Sequence, residues 1–182
     1  IIESSNVIGS ILILDLNKKV YYSNDFEWVN TGKLPASTFK IANTIIGLET
    51  GVINSDSTIF KWDGEEKWQK AWEQDLVLKD AFQFSCVPFY KNELSITKRT
   101  GDIVSAILLI EEDKHYKLRG KSGLSNENGE YNGWFVGYLE KDNNTYFFAT
   151  NLEPKGKINL DSFIKKRLDL TMEAFKELTI MN

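Results

Sequence analysis

Three short runs in the second half of the chain alternate apolar or aromatic residues with polar ones, and turn-forming residues separate them. A period of two places every second side chain on one face of a sheet. Asn126-Glu127-Asn128-Gly129 and Asp142-Asn143-Asn144 are residue types that accept tight, left-handed turns. The pattern therefore predicts an antiparallel three-strand meander over Tyr116–Gly123, Gly133–Glu140 and Thr145–Asn151. At the other end of the chain, Val7–Asp15 is apolar and β-branched, and the pattern resumes over Lys19–Tyr22 after a short polar link, which predicts a hairpin. Between these lie helical periods. One starts at Ser37, runs through Phe39, Ile41, Ile45, Ile46 and Leu48, and stops at Gly51. A second spans Leu78–Tyr90, with Pro88 interrupting it, and a third, amphipathic, spans Ser95–Glu112. A terminal helix starts at Leu160 and carries Phe163, Ile164, Leu168, Leu170, Met172, Phe175 and Leu178. Ser23–Lys33 is predicted as a loop and Ile53–Glu66 as irregular, since neither sustains a period.

Strands from both chain ends, with helices between and after them, define an α+β fold: a central antiparallel sheet of about five strands flanked by helices. No repeat, linker or low-complexity tract divides residues 1–182, so the expectation is a single domain. A hydrophobic content of 42% supplies a core. The net charge of −4 argues against nucleic acid or an anionic membrane as the main partner, and no apolar run has the length of a bilayer span. No basic-then-apolar leader opens the chain, which leaves a cytosolic protein or one whose signal has been removed. Cys86 and His115 are each the sole residue of their kind, so the usual zinc site and an internal disulfide are both excluded. Cys86 reads as a small buried hydrophobe. Trp62, Trp68 and Trp72 cluster as core or as the wall of a binding site.

Pro35 blocks helix upstream, so Ser37 falls in the first turn and Lys40 lies on the same face. The helix mouth favours a developing anion, and a neutral lysine amine within reach can take the hydroxyl proton. The spacing alone is weak: it recurs at Ser95–Lys98 and Ser162–Lys165, and a capping serine with a solvated lysine accounts for it equally. Lys121-Ser122-Gly123, at a strand end, combines a cation, a hydroxyl for a carboxylate and a residue that lets substrate lie against the backbone. Ser85, two residues before Val87, offers a second hydroxyl for proton relay.

Taken in order, Ser37-Thr38-Phe39-Lys40, Ser85-Cys86-Val87, Lys121-Ser122-Gly123 and Trp134-Phe135-Val136-Gly137 resemble the penicillin-recognising serine enzymes. The nearest likeness is to class D β-lactamases and the related sensor domains of β-lactam receptors. Leu48-Glu49-Thr50-Gly51-Val52, Phe60-Lys61-Trp62-Asp63-Gly64 and Phe148-Ala149-Thr150-Asn151 fit the same family, and the match runs through nearly the whole chain up to Asn151. The resemblance implies a β-lactam substrate, Ser37 as acylated nucleophile and Lys40 as general base carrying CO2 as a carbamate, with no other cofactor. Burial beside Phe39 and Val87, with Lys121 near, should lower the amine pKa and favour the form that takes up CO2. Ser85 would pass the proton to the β-lactam nitrogen. Lys121, Ser122 and Gly123 would align the substrate, and the backbone N–H groups of Ser37 and Leu124 would form the oxyanion hole. Trp72 would wall the site and Val87 would screen the lysine from water. The family's location is periplasmic or secreted, the signal having been removed.

The pattern breaks in one place. Only Pro88–Leu94 separates the Ser85 segment from the helix predicted at Ser95–Glu112, where class D relatives have several dozen residues. That region holds the family's Tyr-Gly-Asn motif, much of its helical half and a tryptophan that bonds the carboxylated lysine; Tyr-Gly-Asn occurs nowhere here. The substrate-carboxylate arginine has no clear counterpart among Lys155, Lys157 and Arg167. The expectation is impaired deacylation, and an exposed apolar face that favours a homodimer. A sensor or penicillin-binding domain that acylates without turnover, and a non-catalytic remnant, are the alternatives.

Overall fold

The computed structural model describes residues 2–67, 69–84, 97–157 and 159–181. They form two compact units, Ile1–Thr38 with Leu109–Asn182, and Phe39–Leu108.

The first unit is built on strands β1 (Val7–Asp15), β2 (Val20–Ser23), β5 (Leu109–Glu112), β6 (Tyr116–Glu127), β7 (Glu130–Lys141) and β8 (Asn144–Pro154). They make one antiparallel sheet in the order β2-β1-β8-β7-β6-β5, so the N-terminal hairpin docks on the last strand of the meander. Both meander turns have the two positive φ angles that match strand twist: Asn128 and Gly129 at 54° and 91°, Asp142 and Asn143 at 51° and 59°. Alternate residues of the sheet, including Ile11, Ile13, Leu118, Phe135, Leu139, Phe148 and Leu152, are buried against Phe163, Leu170 and Phe175 of helix α5 (Leu160–Glu177). Asn159 caps α5, its side chain accepting from the Ser162 N–H at 2.9 Å. The Phe148 and Phe175 rings meet edge-on at 5.8 Å. A short helix, α1 (Phe26–Val29), capped by Asp25, occupies part of the stretch predicted as loop.

The sheet has six strands, one more than the sequence implied. The added strand, β5, comes from the end of the predicted Ser95–Glu112 helix. In the second unit that helix, α4, runs only over Lys98–Ile107. Beyond it the backbone pairs with Lys117–Arg119 of β6, and an available sheet edge overrides the helical period.

The second unit also holds α2 (Phe39–Glu49) and α3 (Leu78–Gln83), with a two-stranded sheet of β3 (Ile59–Phe60) and β4 (Leu76–Val77), part of it in the stretch predicted as irregular. Gly51 has φ of 75° beyond α2, as a helix stop requires. The continuation of α3 toward Tyr90 lies outside the described residues. No described helix is long and apolar enough to cross a membrane.

Asp15 closes the first hairpin. Its Oδ1 accepts from the Lys18 backbone N–H at 3.0 Å and from the Asn144 amide at 2.8 Å. Those bonds, the Lys18 N–H foremost, hold its carboxyl down at about 2. A depressed folded-state value means that the stabilisation is complete above the ordinary carboxylate range and is lost as pH falls from about 4 through about 2. Asp15→Asn should therefore be less stable at neutral pH and lose stability less steeply across that window. Urea unfolding at a series of pH values checks this, and an acid limb as steep as that of the wild type contradicts it.

Candidate active site

In the first unit, the segment leading to Ser37 lies against the middle of β6. Pro35 precedes a single 3-10 turn formed by Ala36–Thr38; Thr38 returns both its backbone N–H and its hydroxyl to the Pro35 carbonyl. Ser37 thus sits in that turn, just ahead of α2, rather than in the helix itself. Ala36 takes a left-handed φ of 46°, an uncommon conformation for a residue with a Cβ. The contact with β6 falls at Gly123. A Cβ there would stand 3.1 Å from the Pro35 carbonyl oxygen, 3.1 Å from the Ser37 nitrogen and 3.2 Å from Ala36 Cβ. The strand and the turn touch because no side chain intervenes.

The same half of β6 is a sheet edge. Strand β5 pairs with Lys117–Arg119 only, so from Gly120 onward β6 has no outer strand among the described residues. Lys121 is buried, its Nζ donating to the Ser122 carbonyl at 3.0 Å. Ser122 is exposed, and Leu124 packs toward the α5 face of the sheet.

A residue the sequence left unassigned completes this surface. Arg167, on α5, is 3% exposed, and its Nη1 donates to the carbonyls of Gly123 and, at 3.2 Å, Trp134. It reaches them across Gly133, where a Cβ would lie 2.7 Å from Arg167 Cδ. Burial lowers the guanidinium to about 10, which leaves it charged at neutral pH. The signal in the sequence was an arginine inside the apolar stripe Phe163, Arg167, Leu170. Next to it, the Trp134 indole donates to the Leu34 carbonyl at 2.7 Å. Lys33 pairs with Glu153 at 2.7 Å and lies 4.4 Å from the Trp28 ring centroid. The Trp28 indole in turn donates to Asn151 Oδ1 at 2.9 Å.

In the second unit, Lys40 is fully buried on α2, with its Nζ 4.6 Å from the Phe39 ring centroid. Trp72 ends a 3-10 turn, packs against Leu76 and Ala81, and donates its indole N–H to the Phe84 carbonyl at 2.9 Å. Ser85 and Val87 lie outside the described residues. The structure therefore gathers Ser37, Lys121, Ser122, Gly123 and Leu124 on the first unit, while Lys40 and Trp72 belong to the second.

A family model for the penicillin-binding protein transpeptidase domain matches residues 9–101 and 88–168. Within that class, the chain is 31% identical to β-lactamase OXA-10 of Pseudomonas aeruginosa, over 81% of this chain and 77% of the relative. Among solved structures, a class D β-lactamase from Nostoc superposes with a TM-score of 0.89 at 32% identity, covering 97% of this chain and 96% of that one. Another from Sebaldella termitidis superposes with a TM-score of 0.91 at 27% identity, covering 100% and 95%. The chain belongs to the class D serine β-lactamase family. Its alignment with OXA-10 runs for 204 positions yet takes in only 81% of these 182 residues, so several dozen positions have no residue here. The two segments of the family match overlap over residues 88–101.

Replacing Arg167 by Ala removes the donor from two buried carbonyls. Arg167→Ala should cost about 1–3 kcal/mol of stability, read as a lowered urea midpoint. Arg167→Lys should recover only part of it, because an ammonium does not reproduce the planar fork. A midpoint unchanged in Arg167→Ala contradicts this account.

Proposed function

We propose that this chain hydrolyses β-lactams through an acyl-enzyme on Ser37. The observation that carries the reading is the close approach at Gly123: a strand with no outer partner there among the described residues lies against the turn that holds Ser37, with two buried cations, Lys121 and Arg167, beside it. An acyl-transfer site needs that arrangement, since a substrate carbonyl must meet a nucleophile and backbone donors together.

In this reading the Ser37 hydroxyl adds to the β-lactam carbonyl and gives its proton to Lys40. The N–H groups of Ser37 and Leu124 take the developing oxyanion. The lactam C–N bond breaks, and Ser85 delivers a proton to the departing nitrogen. Lys121, Ser122 and Gly123 hold the substrate along the strand, with its carboxylate in the field of Lys121 and Arg167. Water then adds to the acyl carbon and releases the product. The full burial of Lys40 beside Phe39 suits an amine that is carboxylated, because burial favours the neutral amine that takes up CO2. Carboxylation supplies an anionic oxygen for both proton transfers. The same chemistry suits a periplasmic or secreted protein that meets β-lactams outside the cytosol.

The short stretch Pro88–Leu94 favours slow deacylation, because by resemblance the family's further donor to the carboxylated lysine would lie between the Ser85 segment and the helix that follows. Intact-mass spectrometry after mixing with a penicillin, alongside nitrocefin turnover, tests the whole scheme. The expected result is an adduct on Ser37, turnover that rises with added bicarbonate, and loss of both adduct and turnover in Ser37→Ala. A long-lived adduct with no turnover selects a β-lactam-binding sensor instead. Turnover retained in Ser37→Ala defeats both readings.

A further inference from the structure

The indole of Trp134 is spent on a carbonyl that solvent could have satisfied. Leu34 is 48% exposed, and a loop carbonyl at such a position ordinarily bonds water. Here it accepts from Trp134 Nε1 at 2.7 Å. The root of that donor is fixed in the sheet interior: Trp134 pairs with Gly123 on one side and Asn151 on the other, and its own carbonyl accepts from Arg167. The ladder pair Gly123–Trp134 therefore touches residues 34–37 at two points. Trp134 holds the segment by a hydrogen bond, and Gly123 limits how close it comes. Between those points lies Ala36 in its left-handed conformation, which persists only where the surroundings over-determine it. The ion pair of Lys33 with Glu153 pins the residue just before.

We infer that Trp134 is a positioning residue for acyl transfer, whose indole N–H sets the depth of the turn carrying Ser37 against the β6 edge. This rests on the acyl-enzyme reading above and adds a residue to it. Loosening the tether lets the turn drift from Gly123 and moves the Ser37 N–H relative to the edge of β6. A donor to an oxyanion counts only at its proper distance, so rate should suffer where binding does not.

Trp134→Phe keeps an aromatic ring and removes the donor. With saturating nitrocefin in rapid mixing, the first-order acylation rate constant should fall about tenfold or more, while the dissociation constant of the non-covalent complex stays at the wild-type value. Hydrogen exchange of the amides in residues 34–38 should quicken, the sign that the effect travels through this segment. Should the phenylalanine variant fail to fold, benzothienylalanine at the same position, which replaces the N–H by sulfur in a ring of the same shape, decides the question by the same readouts. An unchanged acylation rate constant beside an active wild type overturns this inference alone. A wild-type chain that forms no adduct on Ser37 overturns the acyl-enzyme reading and this inference with it.

Discussion

Strand β6 and the turn before α2 lie as close as they do because nothing projects from Gly123. An added Cβ would stand 3.1 Å from both the Pro35 oxygen and the Ser37 nitrogen, closer than packed atoms tolerate without movement. Much of the first unit's polar structure serves that one approach. Arg167 threads past Gly133, a second position without room for a side chain, to hold the Gly123 carbonyl from the α5 side. Trp134 and Glu153 hold the incoming segment from the sheet, through the Leu34 carbonyl and the Lys33 ammonium. Two glycines thus matter here for the space they leave, and the groups that use the space are long side chains with fixed donor geometry.

The topology explains why so distant a pair can be neighbours. Strand β1 lies between β2 and β8, so the first strand of the chain closes against its last. The segment after the hairpin then crosses the face on which Trp28, bonded to Asn151, already fixes the path. Because β5 covers only the Lys117–Arg119 part of β6, the sheet ends beside Gly123 with no outer partner among the described residues. An open edge is ordinarily a hazard for aggregation. In the proposed reading it is what lets a substrate lie alongside the backbone.

The sequence made the meander and its turns legible, since asparagine and glycine at positive φ and period-two alternation are local signals. All three strands extend a few residues beyond the predicted limits, because pairing continues where alternation fades. What the sequence hid was decided by distant partners. Leu109–Glu112 follows a helical run, yet the β6 edge captures it as strand. Asp25 caps a helix of four residues, too short to show a period. Motif order grouped Ser37 with Lys121–Gly123, and the structure brings that turn against Gly123, but the turn geometry of Ser37 was not readable, as Pro35 and Thr38 settle it together. Arg167 was visible as a charge in an apolar stripe, though its targets are carbonyls, which carry no sequence signature.

Arg167 is difficult to explain by folding alone. A guanidinium on a residue only 3% exposed, bonded to neutral carbonyls, carries a desolvation cost that a well-packed apolar residue would avoid. The cost makes sense if the charge is wanted where it sits. Lys121 shares the period-two face of Gly123, toward the Ser37 turn, while Arg167 comes from the α5 face, so two buried cations flank one short length of strand edge. The chain as a whole carries −4, which would repel an anionic ligand at long range. Beside Gly123 the two buried cations oppose that charge, and in a partly desolvated place near charges outweigh distant ones. In the acyl-transfer reading proposed above, an anion is selected by arriving at this edge, and the helix that supplies Arg167 serves the site as well as covering the core.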